Sequence, residues 1–373
     1  MREIEERAAR TYRDRFAEDP EMLASAPGRI NLIGEHTDYN GGFVLPCAVS
    51  RRVAVAAGRG GDELYSANFG EARPMTGEKD SSWADYPRGV YRAISAAGGE
   101  ITSLRAVFAG DVPLGSGLSS SAAIEAATAL ALDALFGLRM ERRELAVLCQ
   151  RAENEFVGVQ SGIMDQYASL LCKEGAALLV DCRSLEAENV PLDLKGADLA
   201  LLVCDTRVER GLADTGYNDR RAACERAARK LGVEQLRDAR EEDLERLSGE
   251  ELMRARHIVS ENARVLEAVE ALRARDFHEL GRLMCASHAS MRDDFEISTP
   301  ELDAFVELAR EAGALGARLT GAGFGGCAIA LIQEDQTDAL AQEVLRAFER
   351  RGLGEPAFYE FLPAAGAEIV TCS

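Results

Sequence analysis

One run of small residues restricts the fold of this chain more than any other feature. Residues 110–123 read GDVPLGSGLSSSAA, between a segment typical of a β-strand (101–109) and one with helical periodicity (119–136). A glycine-rich turn that opens a helix leaves unpaired N–H groups at the positive end of the helix dipole, which favours a phosphate. Serines that merely cap the helix are the alternative, but the run holds more small residues than capping needs.

This run is not a Walker loop, because the GxxxxGK[ST] pattern is absent. We therefore expect a phosphate-binding turn of another kind. Its residues are Gly115, Ser116, Gly117, Leu118, Ser119, Ser120 and Ser121.

A second segment gathers polar side chains between glycines. Residues 26–42 read APGRINLIGEHTDYNGG, with Arg29, Glu35, His36 and Asp38 within ten residues. Carboxylates and an imidazole at this spacing suit a site that hydrogen-bonds several hydroxyl groups of a sugar. The Asn-Gly step also fits a hairpin with a polar tip, and this segment alone leaves both interpretations open.

A third segment, 319–327, reads LTGAGFGGC and formally matches the dinucleotide fingerprint GxGxxG. That fingerprint requires a helix after the glycines, whereas CAIALI is typical of a strand. The segment is therefore either a glycine-rich hairpin or a turn that another loop or a substrate approaches closely.

Two further candidate acids, Glu153 and Asp165, lie in residues 152–166. Gly158 and Gly162 interrupt the helix predicted over 141–156 and indicate a shaped loop. Asp165 then opens a short helical stretch, where an acid is also favoured by the helix dipole. Glu153 lies in the preceding helix, from which it can face the phosphate turn and hold a metal ion.

Composition narrows the classes of partner. The 373 residues carry 43 Lys and Arg against 63 Asp and Glu, a formal charge of −20 that repels nucleic acid and anionic membranes. No apolar run approaches the roughly 18 residues of a membrane span. The nine cysteines include no CxxC pair, so we expect buried thiols in a cytoplasmic protein. The length predicts two domains, both α+β, which we place at 1–190 and 191–373.

Taken together, the motifs resemble a known family. GRINLIGEHTDYNGGFVLP is similar to the galactokinase signature, and GLSSSAA and GAGFGG resemble the second and third motifs of the GHMP small-molecule kinases. The resemblance runs from about residue 10 to the last strands. It implies a ribosomal-S5-like N-terminal domain and a ferredoxin-like C-terminal domain, with the active site in the cleft between them.

The resemblance also implies roles for individual residues. Asp165 would be the catalytic acid, with Arg29 beside it, and Gly115 to Ser121 would wrap the phosphates of ATP. Ser121 and Glu153 would hold Mg²⁺, and Trp83 and Tyr86 would lie near the nucleotide. The sugar-binding set would be Glu35, His36, Thr37, Asp38, Gly162 and Tyr217.

The implied activity is ATP-dependent phosphorylation of the anomeric C1 hydroxyl of galactose, with Asp165 assisting deprotonation. The alternatives are a kinase for N-acetylgalactosamine or another galactose analogue, and a sugar and ATP sensor without catalysis. One stretch departs from the family: residues 208–212 read VERGL where galactokinases commonly show a sequence like VKHSL. We expect a monomer, with a dimer left open.

Overall fold

Strand β3 explains how the first half of the chain is layered. In the computed structural model, which describes residues 1–208 and 213–370, β3 runs over Pro46–Arg59. It pairs antiparallel with β1 (Met22–Asn31) on one side and β6 (Leu104–Gly110) on the other. The sheet is six-stranded, in the order β13-β1-β3-β6-β4-β5. Its remaining strands are β4 (Glu63–Ser66), parallel to β6, β5 (Glu71–Arg73) and β13 (Glu368–Ile369).

Both faces of this sheet are covered. Ala54 and Ala56 of β3 belong to a small core with the N-terminal helix α1 (Glu3–Phe16). Val53 and Val55, on the opposite face, join the main core, to which α3 (Ser120–Phe136) contributes. Alternate residues of a strand point to opposite faces, so the run VAVAA is buried throughout.

Four further helical elements pack on the same side of the sheet as α3. Two of them carry Glu153 and Asp165. The four elements are α2 (Asp85–Ala96), α4 (Arg142–Arg151), a π-helical turn (Ala152–Val157) and α5 (Met164–Leu171). A three-stranded antiparallel sheet, β2-β7-β8, lies beside them. Its strands are β2 (Phe43–Val44), β7 (Ala176–Asp181) and β8 (Glu186–Pro191).

The second half has its own core on one face of a four-stranded antiparallel sheet, in the order β10-β11-β9-β12, and the other face of this sheet joins the main core. The strands of this sheet are β9 (Leu199–Asp205), β10 (Gly316–Thr320), β11 (Cys327–Gln333) and β12 (Ala357–Phe361). The helices are α6 (Ala213–Leu231), α7 (Gly249–Arg273), α8 (Phe277–Asp293), α9 (Pro300–Glu311) and α10 (Thr337–Arg351). Gly281 of α8 and Gly316 of β10 pack backbone against backbone. A Cβ on Gly281 would lie 2.1 Å from the carbonyl oxygen of Leu315.

The predicted α+β class is confirmed. The apolar runs FVLPCAV (43–49) and RVAVAA (52–57) predict two separate strands, and the structure has the short β2 and the one long strand β3 there. Strand β1 was missed because ASAPGR has few β-branched residues and contains proline and glycine. The domain boundary at 190/191 stays a prediction. Strand β13, from the second of the two predicted domains, pairs with β1 in the first sheet. In the stretch 208–212, which differs from the family sequence, residues 209–212 lie outside the described residues. The apolar pattern at 366–371 predicts a further strand, of which residue 371 also lies outside them.

None of the helices described in 1–208 and 213–370 has both the length and the apolar character of a membrane span.

Candidate active site

The four segments that the sequence analysis selected meet at one cavity of about 520 Å³. It is lined from β1 and the loop after it, from the turn before α3, from the loop before α5, from the start of α6 and from the turn between β10 and β11. Most predicted site residues line it: Arg29, Glu35, His36, Asp38, Gly115, Gly117, Ser119, Ser120, Ser121, Glu153, Gly162, Asp165 and Tyr217.

An ion pair lies at the centre of the cavity. Arg29 Nε and Nη2 donate to Asp165 Oδ1 and Oδ2, both at 2.7 Å. Ser119 Oγ donates to the same Oδ2, and Arg29 Nη1 donates to the carbonyl of Gly117. Arg29 is nearly buried, whereas the Asp165 side chain is 23% exposed towards the cavity. The fork of the guanidinium thus fixes the plane of the carboxylate and leaves one edge accessible.

Arg29 can reach Asp165 because β1 is irregular at this point. Its pairing with β3 shifts register between Pro27 and Arg29. There the backbone comes so close to the phosphate turn that a Cβ on Gly28 would lie 2.4 Å from the carbonyl oxygen of Leu118. The N–H of Arg29 donates to that same oxygen at 2.9 Å. Only glycine permits this approach, so the sequence PGR places the turn directly on the strand.

The phosphate turn presents its backbone to the cavity. Gly115, Gly117 and Ser119 have φ values of 73°, 90° and 58°, and α3 begins at Ser120. A left-handed conformation is unusual for serine, and the hydrogen bond from Ser119 to Asp165 stabilises it here. Unpaired N–H groups at the start of α3 therefore face the cavity as an anion site.

A π-helical turn places Glu153 in the cavity. The extra residue per turn after α4 moves the side chain inward, and such turns are frequent at functional sites. Glu153 Oε2 accepts from Ser161 Oγ at 2.6 Å and from Gln166 Nε2 at 2.9 Å. Burial raises the pKa of Glu153, although these hydrogen bonds oppose the shift.

A second acid lies behind Glu153. Glu125 of α3 is fully buried and accepts from the same Gln166 amide at 3.0 Å. Burial, followed by the charge of Glu153, raises its pKa well above the ordinary value. Sequence reasoning missed Glu125 and Gln166, because a glutamate inside a helix is normally solvated. No group of three or more His, Cys, Asp or Glu arranged to hold a metal occurs among the residues described.

Asp38 and Gly162 depend on each other. Asp38 Oδ1 accepts from the N–H of Tyr39 at 2.9 Å, and its Oδ2 faces Gly162. A Cβ at position 162 would lie 1.7 Å from that oxygen. Burial, and then the charge of Asp165, raise the pKa of Asp38 to about 6. The two carboxyls therefore differ in character, with Asp165 paired to Arg29 and Asp38 poised to change protonation.

His36 is a neutral hydrogen-bonding link. Its φ is 62°, and Nε2 donates to the carbonyl of Ala322 at 3.2 Å while Nδ1 accepts from Tyr39 Oη at 2.8 Å. Burial, and then the charge of His257, lower its pKa to about 3. Its ring packs against those of Tyr217 and Phe295, with centroids 5.3 and 4.8 Å away. Tyr217 thus enters the cavity from α6 as part of an aromatic cluster.

The predicted site residues Thr37, Ser116, Leu118 and Trp83 do not line the cavity. Thr37 Oγ1 donates to the carbonyls of Gly34 and Phe43, which closes the loop that carries Asp38. Ser116 Oγ donates to the carbonyl of Pro113, and Leu118 is buried in the core. Trp83 packs edge-on against Phe108 at 5.4 Å, and Tyr86 lines the cavity instead. These motif positions shape the loops rather than face the cavity.

Comparison with protein families agrees with this geometry. The galactokinase galactose-binding signature matches residues 10–59, the GHMP kinases N terminal domain matches 85–173, and the GHMP kinases C terminal model matches 268–352. The galactokinase of Streptomyces coelicolor is 45% identical over 372 residues, covering 95% of this chain and 96% of that protein. The chain belongs to the galactokinase family. It is therefore an enzyme of the kinase class.

Solved structures confirm the predicted two-domain GHMP kinase fold. The galactokinase of Lactococcus lactis complexed with galactose superposes with a TM-score of 0.91 at 35% identity, covering 96% of this chain and 98% of that one. The mevalonate kinase of Methanococcus jannaschii, at 18% identity, has a TM-score of 0.65 and covers 92% of this chain and 98% of its own. At this low identity, the similarity to the mevalonate kinase concerns the fold alone.

The raised pKa of Asp38 predicts a pH-dependent effect of Asp38→Asn on stability. A carboxyl whose pKa is higher in the folded state than its ordinary 3.8 contributes stability in acid, which is lost as the pH rises through about 6. Asparagine is neutral throughout, so the variant should gain free energy of unfolding relative to the parent between about pH 4 and about pH 6, and the difference should stay constant above about pH 7. Urea denaturation across that range measures the difference. Asp335→Asn, on the exposed surface, is the control, and a difference for Asp38→Asn that does not change with pH contradicts the prediction.

Proposed function

We propose that this enzyme transfers the γ-phosphoryl group of ATP to the C1 hydroxyl of galactose. The observation that carries the proposal is the position of Asp165. It lies between a loop rich in hydrogen-bonding side chains and a turn rich in exposed N–H groups, and one edge of its carboxylate is open to the cavity. The relatives named as galactokinases, one of them solved with galactose, support this choice of sugar.

In this proposal Asp165 accepts the proton of the C1 hydroxyl as that oxygen attacks phosphorus. Each carboxylate oxygen has two lone pairs, and Arg29 occupies one on each. Ser119 takes the second on Oδ2, so Oδ1 is the oxygen left to receive the proton. Arg29 and Ser119 hold the carboxylate in the orientation that an in-line transfer needs.

The sugar would lie between Asp38, His36, Glu35 and Tyr217. Because Asp38 is acceptor-only when ionised, it suits two adjacent hydroxyl donors of a sugar ring. The nucleotide phosphates would meet the N–H groups at the start of α3. With a formal charge of −20, the chain offers the phosphates local dipoles in place of a positive field.

Ser121 and Glu153 fit Mg²⁺. A hydroxyl and a single carboxylate are hard oxygen ligands, and Mg²⁺ commonly takes one or two protein carboxylates beside substrate phosphates and water. Both residues line the cavity, and Ser121 belongs to the phosphate turn. When bound, Mg²⁺ would neutralise charge on the β- and γ-phosphates.

The test is ADP release by the purified enzyme with ATP and Mg²⁺ across galactose, N-acetylgalactosamine, 2-deoxygalactose, glucose, mevalonate and homoserine. We expect turnover on galactose that requires Mg²⁺. A higher kcat/KM for N-acetylgalactosamine than for galactose would reassign the substrate. Binding of galactose and ATP without any turnover would make the protein a sensor and overturn the proposal.

Asp165→Asn should lower kcat while the sugar still binds. Asparagine keeps the shape of the side chain but cannot accept the proton, and proton transfer of this kind contributes about 10²- to 10⁴-fold. Steady-state kinetics give kcat, and titration calorimetry with galactose gives the dissociation constant. Exposed Asp335→Asn is the control. A kcat within a few-fold of the parent would remove Asp165 from the mechanism.

Gly162→Ala should raise KM for galactose much more than KM for MgATP. The new Cβ would lie 1.7 Å from Asp38 Oδ2, so the carboxylate that faces the sugar must move. We expect an increase of about tenfold or more, the effect of losing a hydrogen bond to a charged group. Gly354→Ala is the matched control, because a Cβ there meets nothing nearer than 4.0 Å. Equal changes in both KM values would show that residue 162 does not act through the sugar.

A further inference from the structure

Behind Glu35 lies a group of buried charges that does not line the cavity. Arg318 of β10 is fully buried, and its Nη2 donates to Glu35 Oε2 at 2.8 Å. The same Nη2 lies 3.8 Å from Oε1 of Glu261, a fully buried residue of α7. Arg264 Nε donates to Glu261 Oε2 at 2.7 Å. We call Arg318, Glu261 and Arg264 the Arg318 network.

The network, together with Glu35, is balanced in charge, with two carboxylates and two guanidinium groups. Burial raises the pKa of Glu35 while the charge of Arg318 opposes the shift. For Glu261 burial also acts upward, but Arg264 and Arg318 outweigh it and lower its pKa to about 2. Removing one member would leave an uncompensated charge in the interior, which is strongly unfavourable.

Glu261 also holds the backbone that carries Glu35. Its Oε1 accepts from the N–H of Gly34 at 2.9 Å and from Ser287 Oγ at 2.6 Å. The carbonyl of Glu35 in turn accepts from His257 Nε2 at 3.1 Å. Groups in the second half of the chain thus hold both the backbone and the side chain of Glu35.

The side chain of Glu35 is oriented by three donors from different elements. Besides Arg318, Asn31 Nδ2 donates to Oε2, and the N–H of Gly321 donates to Oε1 at 2.7 Å. Glu35 also lines the cavity, beside Asp38 and His36. Of its three donors, Gly321 lines the cavity as well, whereas Arg318 and Asn31 do not.

We propose that Arg318 and Glu261 are positioning residues for the sugar, acting by fixing the carboxylate and backbone of Glu35. This inference rests on the proposed function, in which Glu35 faces the sugar. It assigns a role in substrate affinity to a strand residue and a helix residue outside every motif of the sequence. The phosphate turn and Asp165 are held by other partners. We therefore expect substitutions of Arg318 and Glu261 to change the KM for the sugar and to leave the KM for MgATP nearly unchanged.

A double-mutant cycle tests this assignment. Arg318→Met should raise KM for galactose about tenfold or more, with KM for MgATP changed less than about twofold, because Glu35 loses the guanidinium group that orients its carboxylate. In a Glu35→Gln background, adding Arg318→Met should change the galactose KM by less than about threefold, since residues that act through one another are not additive. Arg318→Lys, which keeps the charge, should give an intermediate galactose KM.

Arg52→Met is the matched control. Arg52 is equally buried but bonds to Ser25 and to the carbonyls of 365 and 366, away from the cavity. The Arg52→Met variant should have a lower melting temperature than the parent and an unchanged KM for galactose. If Arg318→Met does not fold, as judged by circular dichroism, Glu261→Gln enters the same cycle with the same expectation. An effect that adds fully to that of Glu35→Gln, or a parallel rise in the KM for MgATP, would overturn the assignment.

The cycle is also measured as galactose dissociation constants by titration calorimetry. This separates the two proposals. If the parent binds galactose without phosphorylating it, the proposed function fails, while non-additive affinities would still support the Arg318 network. If the parent phosphorylates galactose and the affinities add, the network is wrong and the function stands.

Discussion

The bidentate pair between Arg29 and Asp165 is the interaction on which the site depends. It joins β1 to the start of α5, and the third guanidinium nitrogen extends it to the carbonyl of Gly117 in the phosphate turn. The pair forms because Gly28 lets the turn lie against an irregular point of β1. Since Ser119 of the same turn also bonds to Asp165, the carboxylate of Asp165 and the turn before α3 are held together.

The pairing of Arg29 has an electrostatic consequence for the nucleotide. Both Arg29 and Arg318 are bound to carboxylates, so their charges are compensated within the protein. In the proposed reaction the triphosphate would then be met by backbone N–H groups and the dipole of α3, with Mg²⁺ beside Glu153. A turn built from glycine and serine rather than lysine suits such a site in a chain with a formal charge of −20.

The sequence indicated the residues that line the cavity better than the buried residues that hold them in place. Clustered polar residues between glycines indicated Arg29 and Asp38 as candidates, although a hairpin with a polar tip stayed open, and the family resemblance implied the role of Asp165. Family motifs overstated side-chain contact at Thr37 and Leu118, which act through loop closure and core packing. Arg318 was missed, although an arginine within a strand otherwise apolar was a visible signal. Its partners lie 57 and 283 residues away along the chain, and only the tertiary fold brings them together.

The glycine-rich turn after β10 connects the loop after β1 to the turn before α3. The N–H of Gly321 bonds to Glu35, and the carbonyl of Ala322 accepts from His36. On its other side, a Cβ at Gly321 would lie 3.4 Å from the carbonyl oxygen of Gly117. The turn has a φ of 87° at Gly321, so a larger residue would be strained where both loops meet. Its resemblance to a dinucleotide fingerprint therefore reflects close packing of three loops, because its glycines lie between two strands and not before a helix.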